Sequence, residues 1–188
     1  MKVIKLSTPL ETSELEKLNI GDKVLLSGKI YTARDAAHKR LINTLNEGKP
    51  LPFDVKGQVI YYVGPTPPKP NTPAGSAGPT TSTRMDPYTP TLLDLGLKGI
   101  IGKGPRSKPV VDSIIKNKAV YFIAIGGAGV LLAESIKASK LIAYEDLGAE
   151  AIREFVVEDF PLIVGIDILG NDLYVDGVKQ YEILEETR

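Results

Sequence analysis

The chain contains no cysteine. Disulfides are excluded, and so are a cysteine nucleophile and any metal or iron–sulfur cluster held by thiolates of this polypeptide. Its single histidine, His38, excludes a histidine-rich metal site. Formal net charge is zero, with 23 basic residues against 23 acidic ones, so no net field favours nucleic acid or an anionic membrane as a partner. No apolar run reaches the roughly 20 residues that a membrane-spanning helix needs. The segment Met1–Leu6 lacks the apolar stretch of a signal peptide. The expectation is a cytoplasmic protein without nucleic-acid or membrane partners.

The remainder is ordinary for a globular chain. Its 188 residues are 43% hydrophobic and 24% charged, enough for one domain, residues 1–188, with a real core. Alternation predicts a strand at Lys2–Leu6, and another spans Lys23–Thr32 with Gly28 as a bulge. A short helix is expected at Thr12–Leu18 and a longer one at Ala33–Asn46, where alanine and leucine recur at helical spacing before Gly48. Gln58–Val63 reads as a strand, Pro87–Leu95 as a short helix, Leu97–Ile101 as a strand and Ser107–Lys118 as a helix capped by Ser107. Ala119–Ile125 is the most apolar run and reads as a strand covered on both faces. A helix then follows Gly126-Gly127-Ala128-Gly129 through about Ala138. Leu141–Tyr144 reads as a strand and Ala149–Phe155 as a helix. Pro161–Asp167 and Asp172–Val175 read as two strands turning at Gly170-Asn171. Strands alternating with helices predict an α/β domain with a mixed sheet and flanking helices.

One stretch concentrates chemistry. Gly64–Pro79 is dense in proline and glycine, and a long loop without periodicity inside a compact domain is either functional or disordered. It leads into Gly78-Pro79-Thr80-Thr81-Ser82-Thr83-Arg84-Met85-Asp86, which packs four hydroxyls and a guanidinium into a few residues. A turn there presents backbone N–H groups and hydroxyls to an anion, and Arg84 offers forked recognition of a carboxylate or phosphate. Arg34 sits at a strand-to-helix junction, and Lys103 lies between two glycines just beyond a strand. If the strands run parallel, Arg34, Arg84 and Lys103 gather along one sheet edge, where ligands collect. Such a set suits a small dianion. Other features have plainer readings. Gly126–Gly129 lacks the spacing of a nucleotide loop and reads as a tight turn permitting close packing. His38 reads as a hydrogen-bonded histidine on a helix face, and Asp35 as a residue facing the helix dipole.

Several blocks carry a resemblance. They are Ser27–Ile30, Ala33–Arg40, Tyr62–Pro67, Gly78–Ser82 with Arg84–Asp86, Gly102–Gly104, Gly126–Ala128, Glu145–Ile152 and Val157–Pro161. In this order they resemble the β subunit of class I, iron–sulfur-dependent fumarate hydratases and L-tartrate dehydratases. The resemblance runs nearly end to end. It implies a swivelling β/β/α domain docked on an α subunit, in an assembly expected to be a dimer of heterodimers. That partner would hold a [4Fe–4S] cluster on three cysteines, its open iron acting as Lewis acid on the substrate. The cofactor would thus belong to the partner and not to this chain.

The same resemblance implies that Arg34, Arg84 and Lys103 bind substrate carboxylates. It places the Thr80 hydroxyl near the carbon that loses a proton, although a threonine is a poor base at neutral pH. Thr83 departs from the pattern, being larger than the small residue expected before Arg84, and bears on substrate choice. The expected activity is reversible hydration of fumarate to L-malate, active only with the α subunit. The alternatives are the β subunit of an L-tartrate dehydratase and a non-catalytic dicarboxylate-binding module.

Overall fold

The computed structural model describes residues 3–185. Seven strands form one mixed sheet: β1 (Val3–Ser7), β2 (Lys23–Thr32), β3 (Val59–Tyr61), β4 (Gly99–Gly102), β5 (Val120–Ile123), β6 (Ile136–Ala143) and β7 (Ile152–Ile166). β1 to β5 pair in sequential order and all run parallel. Helices occupy the crossovers: α1 (Thr12–Leu15), α2 (Asp35–Asn46), α3 (Thr89–Asp94) and α4 (Lys108–Asn117). Two more, α5 (Gly129–Glu134) and α6 (Leu173–Glu185), follow β5 and β7. β7 is antiparallel and pairs with β5, with β6 and also with β2. That last pairing closes β2, β3, β4, β5 and β7 into a ring.

The period-2 alternation of strand side chains divides the core. Val59, Tyr61, Ile101, Val120 and Phe122 point into the ring and meet Leu26, Ile30, Phe155 and Val164. Their neighbours Ile60, Tyr62, Ile100 and Tyr121 point outward, where Ala37, Leu41, Leu92 and Ile114 of α2, α3 and α4 cover them. A strand buried on both faces reads as a continuous apolar run, which is what Ala119–Ile125 shows. Gly28 is the expected bulge. It has φ +106°, the register of β2 against β7 shifts between Leu26 and Gly28, and a Cβ there would lie 2.5 Å from Thr8 Oγ1.

The carboxy-terminal third departs from the expectation. Ala149–Phe155 is not a helix; β7 begins at Ile152 and runs to Ile166. Local helix propensity yields here to pairing with β2 and β6, which buries Ile152, Phe155 and Val157. The helix after the glycine turn ends at Glu134 rather than near Ala138, because Ile136–Ala143 pairs with β7 as an edge strand carrying Lys137 and Lys140. The hairpin at Gly170-Asn171 does not form. Asp172 makes one isolated bridge to Ile166, and Leu173 opens α6 instead of a strand. Asp167 drives that turn: Oδ1 accepts the N–H groups of Leu169 and Asn171, and Oδ2 accepts the side-chain amide of Asn171. Among the described residues, no helix is long and apolar enough to cross a membrane.

Candidate active-site edge

Because β2, β3, β4 and β5 are parallel, their carboxyl ends lie side by side, and the chemistry-bearing residues stand just beyond them. Arg34 leaves β2 in extended backbone and begins α2. Its guanidinium is 3.2 Å from Glu150 and 3.7 Å from Asp35. Glu150 also accepts the Ala36 N–H at 3.2 Å, so one carboxylate caps α2 and holds Arg34. Gly64, beyond β3, lets this happen: a Cβ there would lie 3.1 Å from Arg34 Cδ and Nη1.

The threonine-rich stretch lies across the ends of β3 and β4. Thr80 donates its N–H to Tyr62 O at 2.7 Å. Thr81 and Lys103 form a parallel bridge, and Ser82 donates its N–H to Lys103 O at 2.9 Å. In return Lys103 donates its N–H to Ser82 Oγ at 3.1 Å. Ser82–Met85 then forms one 3-10 turn that carries Arg84 outward. Arg84 is exposed and Lys103 half-buried, and among the described residues neither has an ion-pair partner. Lys103 runs beside Gly126, whose Cβ would lie 3.7 Å from Lys103 Cδ and 4.0 Å from Nζ.

Gly129 brings the glycine turn against the loop: it accepts the Ala77 N–H at 2.9 Å, and a Cβ would lie 2.5 Å from Ser76 Oγ. Gly129 thus permits close packing, whereas Gly127, with φ +83° and nothing within 4 Å of a Cβ, serves the turn. One contiguous series of contacts therefore joins Arg34, Gly64, Tyr62, Thr80, Thr81, Lys103 and Gly126. The result is an open edge rather than a closed cavity. Thr83, exposed on the 3-10 turn, lines a concavity of about 660 Å³ with Asp86, Pro87, Pro105, Arg106 and Ser107.

The roles of Arg106 and Tyr121, buried beneath this edge, escaped the sequence reading. Arg106, whose side chain is fully buried, donates from Nε to Asp86 Oδ1 at 2.8 Å and from Nη2 to Thr89 Oγ1 at 3.0 Å. Asp86 Oδ2 accepts the Ser107 N–H at 2.8 Å. Tyr121 donates its hydroxyl to Gly104 O at 2.9 Å, which leaves Ser82 Oγ to donate to Tyr121 at 2.9 Å. Burial holds the Tyr121 hydroxyl protonated far above its ordinary range. The available signal was a tyrosine inside each of two apolar strands, since a buried phenol needs a polar partner. His38 is buried, donates from Nδ1 to Arg34 O at 2.8 Å and packs edge-on against Tyr62. Burial pushes its imidazole down to about 4, so it is neutral at physiological pH.

Residues 1–177 match the family described as Fumarase C-terminus. The chain belongs to the fumarase C-terminus family. Among its relatives is a Methanocaldococcus jannaschii protein provisionally named L(+)-tartrate dehydratase subunit beta, 40% identical over 184 residues, covering 94% of each chain. The anaerobic class I fumarate hydratase of Escherichia coli is 39% identical over 175 residues, 91% of this chain and 32% of that protein. Fumarate hydratase 2 of Leishmania major is 38% identical over 175 residues, 91% of this chain and 31% of that protein. The chain thus spans about a third of the fumarate hydratases it matches and nearly all of the tartrate dehydratase subunit.

A thiolate-held iron–sulfur cluster does not fit the donors of this chain. It has no thiolate, and among the described residues no group of three or more acidic or histidine side chains could hold a metal ion.

Proposed function

We propose that this chain is the β subunit of a two-component hydro-lyase that interconverts fumarate and L-malate, supplying the dicarboxylate-binding half of the site. The observation that supports the reading is that Arg34, Thr80 and Lys103 stand just past the carboxyl ends of β2, β3 and β4, with Arg84 on the 3-10 turn that follows Thr81. A cluster-bearing α subunit, which the relatives of threefold length would hold within one chain, completes the site. The cluster resides on that partner, because this chain offers no thiolate to hold it.

In this reading Arg34, Arg84 and Lys103 receive the two substrate carboxylates. Removing a proton beside a carboxylate builds negative charge on that group, and preorganised Arg84 and Lys103 stabilise it. Thr80, fixed by its backbone bond to Tyr62, positions the reacting carbon rather than acting alone as base.

Tartrate is the second reading, favoured by the relative that matches over 94% of its own length and carries that name. Anaerobic co-expression with the partner, followed by assay of fumarate, L-malate and both tartrates, decides between them. The isolated chain is expected to be inactive, and turnover by it alone would refute the two-component reading. Arg84→Ala in the complex is expected to lower kcat/KM about a hundredfold to a thousandfold. Unchanged affinity for every four-carbon diacid in both Arg84→Ala and Arg34→Ala would remove the site assignment.

A further inference from the structure

We propose that Arg106 is a positioning residue that sets the spacing between Arg84 and Lys103, and so the fit of a dicarboxylate. The inference rests on the reading of this edge as a dicarboxylate site. Arg106 reaches both limbs of the edge from below, beside the direct tie that Ser82 makes to Lys103. On one side its Nε binds Asp86, the residue that closes the 3-10 turn bearing Arg84. Its Nη2 binds Thr89, whose hydroxyl donates to Met85 O in the same turn at 2.8 Å.

On the other side its guanidinium carbon lies 5.1 Å from the ring centre of Tyr121 and 5.4 Å from that of Tyr62. Tyr121 fixes Ser82 and Gly104, which flank Lys103 in space and in sequence. Tyr62 fixes Thr80 through its carbonyl and reaches Thr89 through its hydroxyl at 2.8 Å.

A fully buried ion pair is weak support for stability, since apolar residues of similar volume do as well or better. What a planar guanidinium adds is direction: a fork aimed at one limb, with its charge set over the rings of the other. Lysine keeps the charge but has neither fork nor face. Arg106 therefore converts the packing of two tyrosines into a fixed separation between two surface cations.

The test uses the two-subunit enzyme and two competitive inhibitors, succinate and propionate. Succinate must span both carboxylate positions, whereas propionate uses one. Arg106→Lys is expected to raise the Ki of succinate about tenfold or more, the scale of an ångström-sized misplacement, with the Ki of propionate changed less than about twofold. Hydrogen exchange on the full chain is expected to show faster exchange of the Ser82 and Lys103 amides, with unchanged protection in β2 and β7. A purely structural role would shift both inhibitors by one common factor, and that result, or an unshifted succinate Ki, overturns the proposal. If Arg106→Lys does not fold, Asp86→Asn, which keeps the shape of the carboxylate, is judged by the same ratio. A wild-type enzyme that binds no dicarboxylate overturns the underlying reading. Succinate binding by the wild type with an unchanged ratio in the variant overturns this inference alone.

Discussion

Gly102→Ala is the sharpest perturbation of this edge. Gly102 ends β4, immediately before Lys103, and a Cβ there would sit 2.0 Å from Ser82 Oγ, 3.2 Å from Tyr62 Cδ2 and 3.3 Å from Ser82 Cβ. The first contact falls about 1.4 Å short of the 3.4 Å at which ordinary van der Waals contact begins. Ser82 is fully buried and cannot swing into solvent. Either its hydroxyl abandons Lys103 N–H and Tyr121, or the turn that carries Arg84 lifts off β4. Overpacking costs about 1–3 kcal/mol, and a buried polar group left without its partner costs about 1–3 kcal/mol. A net loss of about 2–4 kcal/mol corresponds to a fall in Tm of roughly 4–16 °C for a chain of this size. A lift near 1 Å also separates Arg84 from Lys103, and kcat/KM is expected to drop about a hundredfold at temperatures well below Tm.

Thermal unfolding followed by circular dichroism, with steady-state assay of the two-subunit enzyme, reads both effects. Ser82→Ala on the Gly102→Ala background removes the 2.0 Å contact and is expected to restore part of the lost Tm but not the activity, because the Lys103 N–H then has no acceptor. A wild-type Tm and rate in Gly102→Ala, or no gain in Tm on adding Ser82→Ala, would refute the steric argument.

Other expectations follow from the same geometry. Gly64→Ala brings a Cβ to 3.1 Å from Arg34 Cδ and Nη1 and to 3.3 Å from Ala149 O, and the arginine yields by moving, so KM for the dicarboxylate is expected to rise about threefold to tenfold while stability falls by about 1 kcal/mol. A larger loss of stability with unchanged KM counts against it. His38 supplies a pH dependence. Its folded value is about 4 against 6.5 for the free side chain, so between those values the unfolded chain binds the extra proton. The contribution is present in full above pH 6.5 and is lost as pH falls toward 4, on the order of 3 kcal/mol in all. The groups around the ring are Asp35, Tyr62, Tyr88 and Arg106. Urea unfolding at pH 7, 5.5 and 4 is expected to show that slope in the wild type and a reduced one in His38→Gln. Equal slopes would assign the acid sensitivity to other groups.

Much of the candidate site was legible in one dimension because its parts are short and local. A hydroxyl-rich turn with Arg84, and a lysine fenced by Gly102 and Gly104, announce themselves without a partner strand. The apolar runs at β3, β4 and β5 carry both faces of a buried parallel strand in their composition. Gly28 signalled its bulge because a glycine inside a strand has few other uses. Where the reading failed, distant pairing decided the outcome: Ile152–Phe155 looks helical until β2 and β6 flank it, and Asp172–Val175 looks extended until Asp167 gathers the turn before it. Glu150 and Arg106 gave no local sign, since their partners Arg34 and Asp86 stand 116 and 20 positions away in sequence.

The amino-acid order by itself determined that this chain holds no thiolate ligand, that its strands alternate with helices, and which cations and hydroxyls stand beside glycines at strand ends. Only the tertiary structure decided that those strand ends share one edge, that β7 closes the ring, and that a buried arginine binds Asp86 and Thr89 beneath it. The reason is physical: composition and spacing act over a turn or two of chain, whereas hydrogen-bonded registers and buried charges are fixed by neighbours the chain meets only after it has folded.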